Sequence, residues 1–474
     1  MALLILIAFI FQLATILILE FRSPPKTVAW LFILFCVPFI GFFLYYFVAK
    51  DYQNRRRIRL SGSPLFRRIE ARLREQAEII EDTAGMNNPE FAGQERLFAL
   101  LSHLRECPMT GCNATRVLKD GEETFASMLE AMEQAKEHIH IEFYIFRSDM
   151  IGSRFKDLMI RKAREGVKVR VLCDGLGSLM LKRSFIQEIR EAGVEFHYFL
   201  PPFIALLDKR VNYRNHRKII VIDGTVGFMG GLNVGDDYLG LHRKMGYWRD
   251  THLRLEGDAV YFLQHTFLGD WKLAGGGEVT PGVLFPPHHC RGQERVQILT
   301  SGPDQDWRTI QEMCFGAAAV AKRRIWITTP YFIPDAAVYE ALKTAAVSGL
   351  DVRIIIPYHS DSRLVHWASL SYLEELLRAG VKFYQYAKGF VHAKVMVVDG
   401  LLATVGSANL DMRSFYSNFE MTAVLFDPLA IEELSRQFEE DLQECRPVLL
   451  PSFLQRPKRQ KGLELFARML SPLL

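Results

Sequence analysis

The sequence lacks the cysteine spacing that marks a disulfide framework or a structural zinc site. Its 474 residues include 7 cysteines, with no Cys-x-x-Cys pair and no regular interval between them. Small secreted domains and zinc-binding domains depend on such intervals. The cysteine pattern therefore argues against both classes and favours a reducing compartment.

The sequence also lacks a large excess of charge of one sign. Lys and Arg number 58 and Asp and Glu number 54, which leaves a net charge of +4. A chain that binds nucleic acid along its whole length carries a much stronger basic excess. Hydrophobic residues make up 49% and charged residues 24% of the chain, so disorder is excluded as the dominant state. The length allows about three domain-sized units.

Two apolar stretches without charge open the chain, at residues 1–19 and 28–48. Each approaches the roughly 20 residues that a helix needs to cross a bilayer, and Pro24 and Pro25 lie in the polar segment between them. The sequence therefore predicts a transmembrane helical hairpin over residues 1–49. A cleaved signal peptide is the alternative for the first stretch, but no basic residue precedes it and a second apolar stretch follows at once.

A basic cluster follows the second stretch and begins a region, 50–115, that we expect to be a helical linker next to the membrane. The cluster consists of Lys50, Arg55, Arg56, Arg57 and Arg59. Because basic residues favour the cytoplasmic side of a membrane, we expect the chain after residue 50 to lie there. Two compatible interpretations of the cluster stay open: it fixes the topology, or it also binds anionic lipids.

Strand-like and helix-like segments alternate from about residue 116, which predicts an α/β fold with mixed sheets flanked by helices. The order of these segments occurs twice: residues 139–146 correspond to 325–332, and residues 166–172 correspond to 349–355. Repetition in the same order indicates two copies of one domain, which we place at 116–295 and 296–474. Two copies packed about a pseudo-two-fold axis bring equivalent loops face to face, and we expect the active site at their interface.

Each copy carries one His-x-Lys-x4-Asp motif, followed at the same distance by a small residue and an asparagine. The motif residues are His216, Lys218, Asp223, His392, Lys394 and Asp399, and the residues that follow are Gly231, Asn233, Ser407 and Asn409. One such triplet alone is a weak signal. Two triplets in register within a repeat are not plausibly chance.

The spacing of the motif indicates which of its side chains act together. Residues i and i+2 of a strand face the same side, so each histidine points with its lysine. Each aspartate lies at an odd offset and precedes a glycine, a pattern typical of a hairpin turn. We therefore expect Asp223 and Asp399 to brace the motif. Gly231 and Ser407 allow close approach of the backbone and offer N–H donors to an anion.

Two histidines, two lysines and two asparagines in one site predict chemistry on a phosphate. Lysines and asparagines stabilise charge on phosphate oxygens, and one imidazole can attack phosphorus while the other protonates the leaving group. No carboxylate cluster is evident in the sequence for Mg²⁺ or Ca²⁺, so we expect neither a metal nor a cofactor. A histidine needs an orienting acid on its second nitrogen, and Asp250 and Glu420 occupy roughly corresponding positions after the motifs.

The paired motifs resemble those of the phospholipase D superfamily, and the whole chain is similar to bacterial cardiolipin synthases. The N-terminal hairpin and the segments 22–24, 230–238, 330–335 and 471–474 carry this second resemblance. It implies that a phosphatidyl group passes from one phosphatidylglycerol to another through a phosphohistidine, with release of glycerol. It also implies a location at the bacterial inner membrane, with the catalytic domains on the cytoplasmic side.

The resemblance further implies a role for each motif residue. His216 is expected to be the nucleophile, and His392 to protonate glycerol and then to activate the incoming hydroxyl. Glu420 is expected to hold His216, and Asp250 to hold His392. The expected partners are phosphatidylglycerol, cardiolipin and anionic membrane lipids, but no nucleic acid, and homo-oligomer formation stays open.

Other functions stay open at this point. A hydrolytic phospholipase D would use the same residues with water as the acceptor, and a phosphatidylserine synthase or a phosphatidylethanolamine-using enzyme would differ in its lipid or acceptor. The apolar N-terminus and the mild charge disfavour a nuclease, and the intact motifs disfavour an inactive lipid-binding scaffold. Residues 288–290 read as a loop rather than a metal site. Residues 201–207 and 462–474 each contact lipid or pack against the protein.

Overall fold

The computed structural model describes residues 2–20, 24–48, 71, 73, 77, 79, 89–91, 93–103, 107–201, 212–277, 279, 283–288, 292–305 and 307–474. Several predicted features lie outside these residues. They are the basic cluster after residue 49, most of the predicted helical linker, residues 202–207 of the apolar loop, and residues 289 and 290.

Three helices form the N-terminal region: α1 (Ala2–Leu19), α2 (Pro24–Cys36) and α3 (Ile40–Val48). The second apolar stretch is therefore not one helix. Pro38 has no backbone N–H to donate, and Phe39 adopts a left-handed φ of 66°, so the chain turns between α2 and α3. Among the residues that the structure describes, no helix combines the length and the apolar character required to cross a bilayer. The predicted transmembrane hairpin is thus not shown.

Most strands of the described residues form one continuous mixed sheet. The strands of the first copy are β1 (Met109–Lys119), β2 (His138–Phe143), β3 (Lys168–Asp174), β4 (Glu195–Phe199), β5 (Arg214–Asn215), β6 (Ile219–Ile222), β7 (Val226–Gly230), β8 (Tyr247–Arg249) and β9 (Thr251–Gly257). The strands of the second copy are β10 (Glu294–Ser301), β11 (Arg324–Thr328), β12 (Phe332–Ile333), β13 (Asp351–Pro357), β14 (Lys382–Tyr386), β15 (Gly389–Val391), β16 (Val395–Val398), β17 (Leu402–Gly406), β18 (Leu410–Asp411), β19 (Asn418–Leu425) and β20 (Cys445–Pro447). Two small sheets pair β12 with β18 and β8 with β15.

The strand order of this sheet is symmetric about the antiparallel pair β1–β10. From β1 outwards the first copy runs β9, β7, β6, β2, β3, β4, and from β10 outwards the second copy runs β19, β17, β16, β11, β13, β14. Strands β2, β3 and β4 of the first copy and β11, β13 and β14 of the second are parallel, and the strands nearer the centre are antiparallel. The second copy adds β20, which pairs antiparallel with β14 at the edge of the sheet. The predicted duplication and mixed strand direction are confirmed. The two expected sheets are one sheet because β1 and β10 pair edge to edge.

Helices pack against this sheet or against one another. They are α4 (Glu95–His103), α5 (Asp120–Glu133), α6 (Met150–Arg164), α7 (Arg183–Glu191), α8 (Ala259–Leu273), α9 (Thr309–Val320), α10 (Ala336–Val347), α11 (Arg363–Ser371), α12 (Leu373–Arg378), α13 (Met412–Tyr416), α14 (Pro428–Gln443), α15 (Leu450–Leu454) and α16 (Lys458–Leu470). Aspartate side chains accept backbone N–H groups at the first turns of α6, α10 and α14, which satisfies donors that a helix leaves unpaired.

Strand β6, which follows the first His-x-Lys pair, is apolar throughout because both of its faces are buried. Ile220 and Ile222 pack into one core with the helices of the first copy, while Ile219 and Val221 pack into a second core that both copies share. A strand covered on both faces reads as a continuous apolar run rather than an alternating one. The residues just before β6 are thereby held in a fixed position at the centre of the molecule.

The predicted boundary between residues 115 and 116 falls inside β1, which starts at Met109 and pairs with both β9 and β10. Gly111 and Asn113 weaken the strand pattern in the sequence because both residue types are depleted in strands. At the other end of the chain, α16 docks on the protein. Arg468 donates to the Ser371 carbonyl at 2.7 Å, and the rings of Phe466 and Phe32 of α2 lie 5.7 Å apart.

One cysteine has a role that the sequence did not indicate. Cys112 takes part in a disulfide, whereas the thiols of Cys36, Cys173, Cys314 and Cys445 are free. The sequence argued against a framework of several bridges, and a single bridge leaves no regular interval that spacing could detect.

We expect the Arg249–Asp441 ion pair, which joins β8 of the first copy to α14 of the second, to be essential for stability. Nε of Arg249 lies 2.8 and 2.9 Å from the two carboxylate oxygens, and the side chains are 3% and 5% exposed. Asp441→Ala would remove the nearer of two carboxylates from the buried guanidinium, since Asp120 lies 3.6 Å from its Nη1. We expect a cost of up to about 3–5 kcal/mol in the free energy of unfolding. Urea unfolding of the purified protein measures this change.

The matched control is Arg436→Ala on the same helix. Arg436 is 57% exposed and pairs with Glu433 and Glu440, so its loss should cost about 1 kcal/mol or less. Equal losses for the two variants would contradict the assignment of the Arg249–Asp441 pair.

Candidate active site

His216 is placed by a strand of the other copy. Its chain segment follows β5, which pairs in parallel with the start of β19, and the His216 N–H donates to the Phe419 carbonyl at 2.9 Å. Nζ of Lys218 donates to the His216 carbonyl at 2.6 Å. The first histidine of the motif therefore depends on the second copy for its backbone position.

His392 is placed in the same manner with the copies exchanged. It follows β15, which pairs in parallel with β8 of the first copy, and its N–H donates to the Arg249 carbonyl at 2.7 Å. Nζ of Lys394 lies 2.9 Å from Nδ1 of His392 and also contacts its carbonyl. Each copy thus supplies the strand on which the histidine of the other copy is seated.

A buried carboxylate of the opposite copy lies against each imidazole. Oε1 of Glu420 is 3.2 Å from Nδ1 of His216, and Oδ2 of Asp250 is 2.8 Å from Nδ1 of His392. Asn418 adds a contact to the first pair, with Nδ2 3.2 Å from Nδ1 of His216 and 3.1 Å from Oε1 of Glu420. An Nδ1–H that donates to a carboxylate leaves the lone pair on Nε2, where it can act as a nucleophile or base.

The surroundings keep both histidines neutral in the free protein. Burial lowers the pKa of His216 to about 4, although Glu420 raises it. Burial and the charge of Lys394 lower the pKa of His392 to about 4. Burial works against the charged form of Asp250, but the hydrogen bond with His392 and the charges of His392 and Lys394 outweigh it and lower the pKa of this carboxyl.

The two lysines lie in one electrostatic environment. Burial lowers the pKa of Lys218 to about 8 and the pKa of Lys394 to about 7. The charge of Lys218 contributes to the lowered pKa of Lys394 and of His392. The charge of Lys218 in the first copy thus acts on side chains of the second, and a bound anion would relieve the repulsion between the two ammonium groups.

Gly231 and Ser407 support the carboxylates. A Cβ on Gly231 would lie 2.0 Å from Oδ1 of Asp250, so only glycine leaves room for that side chain. Oγ of Ser407 donates to Oε2 of Glu420 at 2.5 Å. The backbone N–H groups of Gly231 and Ser407 donate to the carbonyls of Thr251 and Met421. The sequence led us to expect that these N–H groups would donate to an anion, but they are engaged with the protein.

The two asparagines are also engaged with the protein. Asn233 accepts from the Ile145 N–H at 3.0 Å and donates to the Tyr238 hydroxyl at 3.1 Å. Asn409 donates to Asp411 at 3.0 Å, and its Oδ1 is buried without a partner in the described structure. Asn409 lines a cavity together with Lys394. A role of these amides in phosphate binding stays a prediction.

Asp223 and Asp399 lie at tight turns away from the imidazoles. Asp223 accepts the backbone N–H groups of residues 136, 137 and 138, each at 2.8 Å. Asp399 accepts those of residues 322, 323 and 324 at 2.8–2.9 Å. Both residues have a positive φ, 51° and 54°. These contacts fit the bracing role that the spacing indicated.

Sequence reasoning missed the aromatic residues beside the histidines. The ring of Tyr144 lies 4.1 Å from that of His216, and Trp248 lies 5.2 Å from His392. Tyr144 follows β2 directly, and Trp248 lies two residues before Asp250. Closeness in sequence to these segments is the feature by which the two aromatic residues could have been identified. His288 pairs with Asp258 and the Gly224 carbonyl. Across the described ranges, no three His, Cys, Asp or Glu side chains are grouped to hold a metal ion.

We expect Gly231→Ala to displace the Asp250 carboxylate and to lower the rate of the reaction at this site at least about a hundredfold, because a general acid–base residue would lose its orientation. Initial rates on lipid vesicles measure the effect. Gly277→Ala is the control, since a Cβ at Gly277 meets no atom within 4 Å. A Gly231→Ala variant with normal turnover would contradict the role given to Asp250.

Comparisons with known proteins agree with this geometry. The family model described as cardiolipin synthase, PLD-like domain, matches residues 128–255 and 317–442, and the model described as phospholipase D-nuclease N-terminal matches residues 3–50. A cardiolipin synthase of a Geobacillus species is 45% identical over 98% of this chain and 91% of its own length. The major cardiolipin synthase of Bacillus subtilis is 41% identical over 96% of this chain and 95% of its own length.

A solved structure supports the fold. The phosphatidylserine synthase of Haemophilus influenzae superposes with a TM-score of 0.62 and 16% identity, over 80% of this chain and 100% of the other. One matched domain lies in each half of the sheet, and the matched relatives extend over nearly the whole chain. The chain therefore belongs to the family of cardiolipin synthases built from two phospholipase D-like domains.

Proposed function

We propose that the protein transfers a phosphatidyl group from one phosphatidylglycerol to the hydroxyl of a second, forming cardiolipin and glycerol. The observation that carries the proposal is the exchange of acids between the copies, with Glu420 at His216 and Asp250 at His392. This arrangement gives two neutral imidazoles in one cleft with two lysines. The names and full-length similarity of the relatives support the choice of lipid substrates.

In the first step, His216 acts as the nucleophile. Its Nε2 attacks phosphorus of the first phosphatidylglycerol, so an N–P bond forms while the bond from phosphorus to the glycerol oxygen breaks. His392 gives its Nε2 proton to that oxygen, and neutral glycerol leaves. Lys218 and Lys394 stabilise the charge on the phosphate oxygens. The bound phosphodiester favours the protonated forms of His392 and both lysines.

In the second step, the N–P bond breaks and a new O–P bond forms. Neutral His392 takes the proton of a hydroxyl of the second phosphatidylglycerol, the oxygen of that hydroxyl attacks phosphorus, and the N–P bond to His216 breaks. Cardiolipin forms and the starting protonation states return. Because a phosphodiester is exchanged for a phosphodiester, no net input of energy is needed.

We further infer that the protein works at the surface of the cell membrane. Many apolar side chains of α1 to α3 are more than half exposed: Leu6, Ile7, Ile10, Phe11, Ile18, Leu19, Val28, Phe35, Ile40 and Phe43. An apolar surface of this extent is typical of contact with lipid or another protein, and a lipid substrate favours the first. Placement of the catalytic domains on the cytoplasmic side of the bacterial inner membrane rests on the basic residues after residue 49.

Lipid mass spectrometry on phosphatidylglycerol vesicles tests the proposed reaction. The wild-type protein should produce cardiolipin and glycerol in equal amounts, and His216→Ala and His392→Ala should each lower the rate about a thousandfold or more. His103→Ala, an exposed histidine of α4, should retain the wild-type rate. Phosphatidic acid and glycerol without cardiolipin would identify water as the acceptor and contradict the proposal.

The lysines set the alkaline limit of the reaction. Both must be charged to hold the phosphate, so kcat/KM should decrease above about pH 7, where Lys394 loses its proton, and further above about pH 8, where Lys218 does. Below about pH 4 His216 is protonated and cannot act as the nucleophile, so kcat/KM should decrease again. Because the bound phosphate raises the pKa of the lysines, the alkaline limb of kcat should lie at higher pH than that of kcat/KM.

Lys394→Arg is the diagnostic variant for this pH profile. A guanidinium stays charged over the whole range, so the limb near pH 7 should disappear even if the maximal rate is reduced. A wild-type kcat/KM that increases between pH 7 and 8 would contradict the assignment.

A further inference from the structure

Two arginines that the proposed reaction does not use act on the surroundings of His216. The charges of both contribute to the pKa of Tyr144, whose ring lies 4.1 Å from that of His216, and the charge of Arg413 also contributes to the lowered pKa of His216. Arg214 of β5 precedes His216 by two residues and is 4% exposed. Arg413 is half-buried at the start of α13, and its Nη2 donates to the Asn212 carbonyl at 2.8 Å. Nη1 of Arg214 donates to the Tyr213 carbonyl at 2.5 Å. We call Arg214 and Arg413 the arginine pair.

The arginine pair has no carboxylate partner in the part of the chain that the structure describes. Asp174 is the carboxylate that influences Arg214, but its oxygens accept the backbone N–H groups of Leu176, Gly177 and Asn215. Burial lowers the pKa of Arg214 and the charge of Arg413 adds to this effect, while Asp174 raises it. Uncompensated buried charge is costly, so this place is suited to an anion from outside the protein.

The second copy shows that the fold does not require the arginine pair. Phe390 stands two residues before His392, where Arg214 stands before His216. Asp237 follows Asn233 by the same interval as Arg413 follows Asn409, and it pairs with Arg147 at 3.2 Å. The arginine pair is therefore present at only one of the two equivalent places in the duplicated fold. This indicates a site for one additional anion rather than two.

We propose that Arg214 and Arg413 bind the phosphodiester of the second phosphatidylglycerol, the acceptor, while the first phosphodiester reacts at the two histidines. The inference rests on the proposed function and names the site of its second substrate. Cardiolipin carries two phosphodiesters joined by one glycerol, so a site that makes it must hold a second anion close to the reacting one. A guanidinium fork suits phosphate oxygens because it donates two parallel hydrogen bonds.

This second anion site would make the protein prefer a lipid acceptor to water or a neutral alcohol. A neutral acceptor gains nothing from the arginine pair, whereas an anionic one gains charge-assisted hydrogen bonds. Loss of one arginine should therefore reduce transfer to phosphatidylglycerol selectively. Transfer to a small alcohol, which needs only the donor lipid and the histidines, should be unchanged.

A competition between two acceptors tests the inference. Wild-type protein on phosphatidylglycerol vesicles with added ethanol should form both cardiolipin and phosphatidylethanol. In Arg413→Ala the ratio of cardiolipin to phosphatidylethanol should decrease about tenfold or more, as expected for a lost charged hydrogen bond. Arg413→Lys should give an intermediate ratio because it keeps the charge without the fork. Arg161→Ala, an exposed arginine that pairs with Glu133, should keep the wild-type ratio.

The outcomes separate this inference from the proposed function. Wild-type protein that forms no cardiolipin at all would overturn the proposed function itself. An unchanged ratio in Arg413→Ala, or an equal loss of both products, would overturn the inference alone. Inorganic phosphate at constant ionic strength should suppress cardiolipin more than phosphatidylethanol in the wild type and lose that selectivity in Arg413→Ala. Equal suppression of both products would place the free anion at the catalytic lysines and would also overturn the inference.

Discussion

The backbone hydrogen bonds by which each copy holds the histidine of the other are the interaction on which the rest of the site depends. His216 N–H donates to Phe419 of the second copy, and His392 N–H donates to Arg249 of the first. The acids that contact the imidazoles, Glu420 and Asp250, each lie one residue beyond these carbonyls. The backbone position of each histidine and its electrostatic environment are thus coupled. Separation of the two copies would remove the backbone hydrogen bond and the acid of each histidine together.

Charged side chains are buried where the two copies meet. Lys218, Lys394, Asp250 and Glu420 are largely removed from water, and isolated charges in such a place are unstable. The acids and histidines compensate one another across the interface, and the lysines remain partly uncompensated, with a lowered pKa. A phosphodiester supplies the missing negative charge. Its binding therefore offsets the free energy cost of the buried lysines, which favours binding of the substrate and stabilises the charge of the transition state.

Local spacing was sufficient for the parts of the structure that depend on turns and repetition. The turns at Asp223 and Asp399 and the duplicated strand order follow from short-range pattern. Strand parity does not apply to the histidines and lysines, because residues 216–218 and 392–394 lie between strands. The pairing of Glu420 with His216 came from the family resemblance, because nothing local indicates a contact between copies. The engaged N–H groups of Gly231 and Ser407 could not be predicted either, since they depend on the register between β7 and β9 and between β17 and β19.

The stereochemical course at phosphorus tests the central claim, that one histidine attacks and a second lipid displaces it. Phosphatidylglycerol chiral at phosphorus through a sulfur substituent would be converted to product, and the product configuration determined. Two successive in-line displacements through a phosphohistidine predict retention of configuration. Inversion would mean that the acceptor hydroxyl attacks the donor lipid directly, and it would contradict the nucleophilic role of His216.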